Sequence, residues 1–222
     1  DPMVDDNWRI LFLSESKIIS HIMKNISKAI YEMQSNVDVT EAEVLKKYFS
    51  EVDELKMREN YSLDVSKVIY EKLAYPSNKG GLEKAFIEFV DKDAEVNSFL
   101  KINENYHDFA HITYIREDGL LSHYFPDFLV RIDNDIYLVE TKAQKDVKNT
   151  NVQQKQRATI DWVDKTNELK PEDRMYSWWN YVLLGENTFY EMSEKGASTK
   201  EILEYAKLSK AKVEGTLEDY FI

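Results

Sequence analysis

Three charged side chains stand within two of the most strand-like stretches of the chain. Asp127 follows Pro126, and Glu140 and Lys142 close the run Ile136-Tyr137-Leu138-Val139-Glu140-Thr141-Lys142. Side chains at i and i+2 of a strand share a face, so Glu140 and Lys142 point the same way if this run is extended. A two-residue loop at Asp133-Asn134 pairs residues whose numbers sum to 267 and sets Asp127 opposite Glu140; a three-residue loop brings Thr141 there instead. Two adjacent carboxylates repel, and one neighbouring ammonium relieves only part of this. A divalent cation resolves the conflict, and oxygen donors of this kind suit Mg²⁺ or Mn²⁺. The Lys142 ammonium would then orient or deprotonate an attacking water and stabilise charge growing on phosphorus. Those are the parts that phosphodiester hydrolysis needs. The bland alternative is a solvated hairpin face on which Asp, Glu and Lys alternate, since the bare spacing is common.

The elements that must position these groups follow from periodicity. Ile18, Ile22, Ile26 and Ile30, with Ile19, Met23 and Ala29, predict one amphipathic helix from Trp8 to about Met33, whose apolar face needs a cover. A second helix is expected from Thr40, as N-cap, through Val44, Tyr48, Phe49 and Val52 to Leu55. Residues 1–62 therefore read as an α-helical extension ahead of a domain spanning 63–222. Residues 64–70 predict a short strand with helix as the alternative, and Tyr75 to Gly81 a linker. Leu82, Phe86, Phe89 and Val90 predict a helix over 81–91. Strands are expected at 109–115, 123–132 and 136–141, in sequential antiparallel order, then a helix over 151–167, a strand over 178–184 and a helix over 199–209. This order is that of an α/β domain with a mixed sheet flanked by helices.

Composition excludes several classes. The 222 residues carry 29 Lys+Arg against 41 Asp+Glu, a net charge of −12, and 43% are apolar, enough for a core and too apolar for a disordered chain. The absence of cysteine removes disulfide frameworks and thiolate zinc sites and fits a reducing, cytoplasmic setting. No apolar run approaches the ~20 residues of a membrane-spanning helix, so a soluble protein is expected. The chain starts at Asp1 without a leader pattern and reads as a piece of something longer.

Pro126-Asp127, a strand, a turn, a second strand and Glu140-Thr141-Lys142 resemble the PD-(D/E)xK nuclease core. More specifically, Tyr70-Glu71-Lys72-Leu73-Ala74-Tyr75, Gly81-Leu82-Glu83-Lys84-Ala85-Phe86, Tyr124-Phe125-Pro126-Asp127-Phe128 and Val139-Glu140-Thr141-Lys142 are similar to the C-terminal endonuclease domain of the restriction (Res) subunit of type III restriction enzymes. The likeness continues through Val152-Gln153-Gln154-Lys155, Trp162 and Asn167 and covers about residues 66–190. It implies a restriction-endonuclease-like α/β fold and a Mg²⁺-dependent site. Asp127 and Glu140 with the Thr141 carbonyl would hold the metal, Lys142 would act on water, and Glu83, on the first core helix, would assist. Ala143 stands where the family often has glycine. No G-x-x-x-x-G-K-[ST] occurs, so the ATP-driven helicase of a complete Res subunit is absent from these residues. Double-stranded DNA, that helicase part and a methyltransferase (Mod) subunit are the partners the resemblance implies.

Other candidates are weaker. Glu83 lies at the edge of its helix's apolar stripe, and an isolated helix glutamate is ordinarily solvated. Between residues 142 and 157 five basic residues, Lys142, Lys145, Lys148, Lys155 and Arg157, meet only Asp146, a local excess inside an acidic chain that suits a phosphate-facing edge. Gln153 or Gln154 and Lys155 project from the following helix as auxiliary polar groups. His107 and His111 at i, i+4 suggest zinc on a helix, but on a strand they stand about 13 Å apart. His123 could approach phosphate, and Trp178-Trp179 read as one core and one partly exposed residue. The expected function is a divalent-metal-dependent DNA endonuclease domain. The alternatives are a catalytically silent nuclease-like module that docks DNA or partner subunits, and an interaction domain worked by its N-terminal helices.

Overall fold

The computed structural model describes residues 7–13, 17–35, 38–39, 43–77, 81–143 and 150–211. After a short 3-10 segment, Asn7–Phe12, come α1 (Ile18–Ser35), β1 (Ser62–Asp64), β2 (Lys72–Ala74), α2 (Gly81–Lys92), β3 (Ser98–Lys101), β4 (Ile112–Ile115) and β5 (Leu121–Tyr124). Then follow β6 (Phe128–Ile132), β7 (Asp135–Lys142), α3 (Thr150–Glu168), β8 (Trp178–Gly185), α4 (Glu186–Glu194) and α5 (Thr199–Ala211). The protein is a mixed α/β fold.

The main sheet has the order β3-β6-β7-β8, with β3, β6 and β7 antiparallel and β8 parallel to β7. Central β7 is buried from Ile136 to Thr141, as a strand covered on both faces must be. The alternation of its side chains divides two cores. Phe128, Val130, Tyr137, Val139, Val182 and Leu184 pack against Phe86 and Ile87 of α2, Phe189 of α4, and Ile202 and Leu203 of α5. Leu138, Tyr181 and Leu183 face the other way, onto Ala158 and Val163 of α3 and onto Ile112, Tyr114 and Tyr124 of the β4–β5 hairpin. α2 starts with Glu83 in its first turn and ends with Lys92 in its last, each of the sign that the helix dipole favours.

The β6–β7 hairpin closes on Asp133-Asn134 in the expected register: Ile132 faces Asp135 and Phe128 faces Val139. Asp133 takes a φ of +53°, a conformation that Asp tolerates better than most residues, and its N–H donates to Asn97 Oδ1 at 2.6 Å. The stretch expected as one strand over 123–132 is two. Pro126 lacks the N–H a ladder needs. There the chain leaves β5, paired with β4 in a separate two-stranded sheet, and enters β6 in the main sheet. The antiparallel partner of β6 on its other side is thus not β4 but β3, which the sequence pattern did not indicate.

The amino-terminal part differs most from expectation. The helix predicted to begin at Thr40, which lies outside the described residues, does not form over 43–55; a single 3-10 turn, Phe49–Glu51, interrupts an otherwise irregular course. Tertiary bonds outweigh the helical pattern. Tyr70 Oη donates to the carbonyl oxygens of Phe49 at 2.9 Å and Val52 at 3.2 Å, Lys46 Nζ donates to the Glu172 carbonyl, and the Phe49 ring lies against His107 and Phe109. The strand expected over 64–70 is replaced by β1, a series of bends and β2. The bends are held by the Asp91 carboxylate, which accepts the N–H groups of Ser66 and Lys67 at 2.8 and 3.0 Å. The single helix expected from Trp8 to about Met33 is instead a 3-10 segment, Asn7–Phe12, and α1 from Ile18, with Lys17 outside helical geometry at a φ of +52°; α1 meets the β4–β5 hairpin through positions other than the apolar stripe. Ser27 is buried and Lys24 lies against Gly119, whereas Ile19, Ile22, Met23, Ile26 and Ile30 stay exposed. Among the described residues no helix is long and apolar enough to cross a membrane.

Candidate active site

Asp127 sits in the Pro126 break just ahead of β6. Its main-chain oxygen accepts the Ile102 N–H at 2.9 Å and prolongs the β3–β6 ladder, which ties the residue to the β3 side of β6. Its Oδ2 accepts both the N–H and the Oγ1–H of Thr141, each at 2.8 Å. Glu140 is 4% exposed on the α3 face of β7. Tyr124 Oη donates to Glu140 Oε2 at 2.6 Å, and the Lys142 ammonium lies 2.6 Å from Glu140 Oε1. Asp127, Glu140, Thr141 and Lys142 thus converge at one end of the β6–β7 pair.

The electrostatics of this cluster are uneven. Burial, and then the Asp127 charge, push the Glu140 carboxyl above its ordinary range, while Lys142 and the Tyr124 hydroxyl pull the other way. Tyr124, itself buried beside Tyr181 and Glu140, is pushed far above the usual phenol range and remains a donor. Tyr181 is raised by the same burial and by Glu140. Lys155 of α3 stands 5.1 Å from the Tyr124 ring centroid and 5.8 Å from that of Tyr114, a cation–π arrangement on the residues that support Glu140.

The remaining sequence candidates fall elsewhere. Glu83 has no hydrogen bond or ion pair to the Asp127–Glu140 cluster among the described residues; its carboxylate is paired with Lys101 of β3, whose ammonium lies 5.0 Å from the Phe128 ring centroid. Glu83 is therefore one strand away from Asp127. Lys145 and Lys148 lie outside the described residues. Gln153 and Arg157, four apart, share an exposed face of α3, whereas Lys155 turns toward the hairpin tyrosines instead of outward. The Gln154 side-chain oxygen is buried without a hydrogen-bond partner among the described residues. His107 is fully buried in a turn, not on a strand. Its Nδ1 accepts the Asn103 N–H at 3.0 Å and its Nε2 lies 3.2 Å from Tyr70 Oη, so it holds the core rather than an ion. Neither member of the tryptophan pair is fully buried: Trp178 is exposed beneath the Arg174 guanidinium, and Trp179 packs edge-on to Trp162.

Tyr124, Tyr181 and Lys101 escaped the sequence reading. Each acts across a gap between sheets or between helix and sheet, which ladder spacing does not encode.

No three His, Asp or Glu side chains among the described residues come together around one point. The cluster nevertheless fits a hard cation. Its donors are all oxygen, and two carboxylates share the site with one ammonium, which is paired with Glu140. Asp127 Oδ1 accepts no hydrogen bond among the described residues, and the Thr141 carbonyl would supply the third protein donor. Comparisons of the chain with protein-family models, with curated proteins and with solved structures found no match.

Proposed function

We propose that the protein is a divalent-metal-dependent DNA endonuclease domain of the PD-(D/E)xK kind, acting as the cleavage part of a type III restriction enzyme. The observation that carries this reading is the β6–β7 register, which brings Asp127 beside Glu140 and leaves the Lys142 ammonium 2.6 Å from the Glu140 carboxylate. Element order supports it as well: a helix (α2), three antiparallel strands (β3, β6, β7), a helix (α3) and a parallel strand (β8) surround the cluster.

Asp127, Glu140 and the Thr141 carbonyl would hold Mg²⁺ or Mn²⁺, which when bound polarises a phosphodiester oxygen and acidifies a water. Lys142 orients the attacking water and offsets charge on the phosphoryl oxygens. Thr141 fixes the Asp127 carboxylate through two donors, and Tyr124 fixes Glu140 through one. Gln153 and Arg157 form the phosphate-facing edge; contacts of this type position a duplex without reading its sequence. Target choice then falls to a methyltransferase subunit and movement to a helicase part. Glu83, paired with Lys101, stands outside this arrangement.

The silent docking module is the second reading, favoured by one observation: both Glu140 oxygens are engaged by protein groups, the Tyr124 hydroxyl and the Lys142 ammonium. Incubating the full chain with supercoiled plasmid and Mn²⁺ separates the two. Nicking that disappears in both Asp127→Ala and Lys142→Ala supports the nuclease. Nicking that persists in both refutes this site, and DNA binding without any cleavage by the wild type favours the docking module.

A further inference from the structure

The β4–β5 hairpin carries a second group of ligating side chains, on the face away from Glu140. In this hairpin Thr113 faces His123 and Ile112 faces Tyr124, so continuing the register sets His111 opposite Phe125. His111, Thr113, His123 and Phe125 therefore share one face, with His111 and His123 diagonal neighbours. Their rings lie 4.1 Å apart by centroid at an interplanar angle of 60°. Neither ring is buried in a core: His123 is exposed and His111 half-buried.

The hydrogen bonds around the pair prepare it for coordination. A carbonyl can only accept, so the 2.6 Å contact between His111 Nδ1 and the Asp108 oxygen makes Nδ1 the protonated nitrogen and leaves a lone pair on Nε2. A backbone carbonyl on the far nitrogen is the usual support of a metal-bound imidazole. His123 Nδ1 lies at the hydrogen-bond limit, 3.5 Å from Thr113 Oγ1. Two imidazole nitrogens sharing one ion at about 2.0–2.1 Å each stand about 3 Å apart, so binding requires the two neighbouring rings to turn their free nitrogens toward a common point.

We propose that His111 and His123 form a two-imidazole site for a borderline transition-metal ion such as Zn²⁺ or Ni²⁺, with water completing the coordination. Imidazole selects these ions over Mg²⁺, so the site is chemically separate from the oxygen cluster at Asp127 and Glu140. A bound ion ties the two strands of the hairpin together. Because Tyr124 follows His123 and donates to Glu140, the same ion steadies the element that supports the candidate active site.

The test is titration of the tag-free full chain with Zn²⁺ by calorimetry, in the presence of excess Mg²⁺. One equivalent should bind. His111→Ala and His123→Ala should each weaken binding at least about tenfold, whereas Asp127→Ala should leave it unchanged. Ni²⁺ broadening of assigned histidine ring signals gives a readout free of variants: His111 and His123 should vanish first, with His21 and His107 retained. Binding that survives either histidine variant, or that is lost with Asp127, overturns the site, as does equal broadening of all four histidines.

Discussion

Asp127→Asn removes one negative charge from the Asp127–Glu140 pair and keeps an oxygen acceptor for the two Thr141 donors. Residues opposite one another on paired strands have Cβ atoms about 5 Å apart. Two unit charges at ~5 Å repel by about 3 kcal/mol at an effective dielectric of about 20. Turning two charge-assisted hydrogen bonds into neutral ones costs about 1 kcal/mol each. The metal-free variant should therefore be more stable than the wild type by about 1 kcal/mol, a rise in Tm of about 2–4 °C for a chain of this size. Bound Mn²⁺ reverses the order. At a hundred times its Kd an ion stabilises the wild type by about 2.7 kcal/mol, and the variant, lacking one ligand charge, gains much less. Differential scanning calorimetry of both proteins in EDTA and in Mn²⁺ measures the two differences. A variant that melts below the wild type in EDTA, or that gains as much from Mn²⁺, refutes the idea that two ionised carboxylates oppose each other here until a cation joins them.

Three further outcomes follow from named contacts. Lys142→Ala should reduce cleavage about 10²- to 10⁴-fold while leaving Mn²⁺ binding in place, read by single-turnover nicking and by calorimetry on the same protein. Tyr70→Phe removes the hydroxyl that donates to Phe49 and Val52, so limited proteolysis should cut residues 43–58 faster than in the wild type, with α2 and α3 equally protected in both. The pH dependence of stability has a definite sign. The Glu140 carboxyl is raised above its ordinary value of 4.5 in the folded protein, so the folded state holds a proton that the unfolded chain has already released. The contribution of Glu140 to metal-free stability is greatest at acid pH and declines as pH rises from about 4.5 through its raised value. Glu140→Gln should flatten that decline in urea titrations at several pH values; an unchanged slope contradicts the assignment.

The chemistry-bearing hairpin was legible because its information is local. Asp133-Asn134 offers a tight turn, the flanking strands alternate or run apolar without interruption, and a single register satisfies both. α1, α2, α3, β8 and α5 were legible for the same reason, each carrying a stripe or run of adequate length. The short β3, Ser98–Lys101, was not, because four residues carry little pattern and its strand character comes from pairing with β6. Residues 43–58 show helical spacing in Val44, Tyr48, Phe49 and Val52, but aromatic and β-branched residues are modest helix formers. The Tyr70 hydroxyl and the rings of His107 and Phe109 offer this segment more than a helix does. The pairing of Glu83 with Lys101 and the support of Glu140 by Tyr124 depend on how separate sheets and helices stack, which no spacing in the chain records.

The central claim is that Asp127 and Glu140 share one divalent cation. Anomalous diffraction from crystals equilibrated with Mn²⁺, collected for the wild type and for Asp127→Ala, tests it directly. A peak about 2.0–2.2 Å from an oxygen of each carboxylate, absent in the variant, is the predicted result. Wild-type crystals without a peak there, with Glu140 still held only by Tyr124 and Lys142, would contradict it.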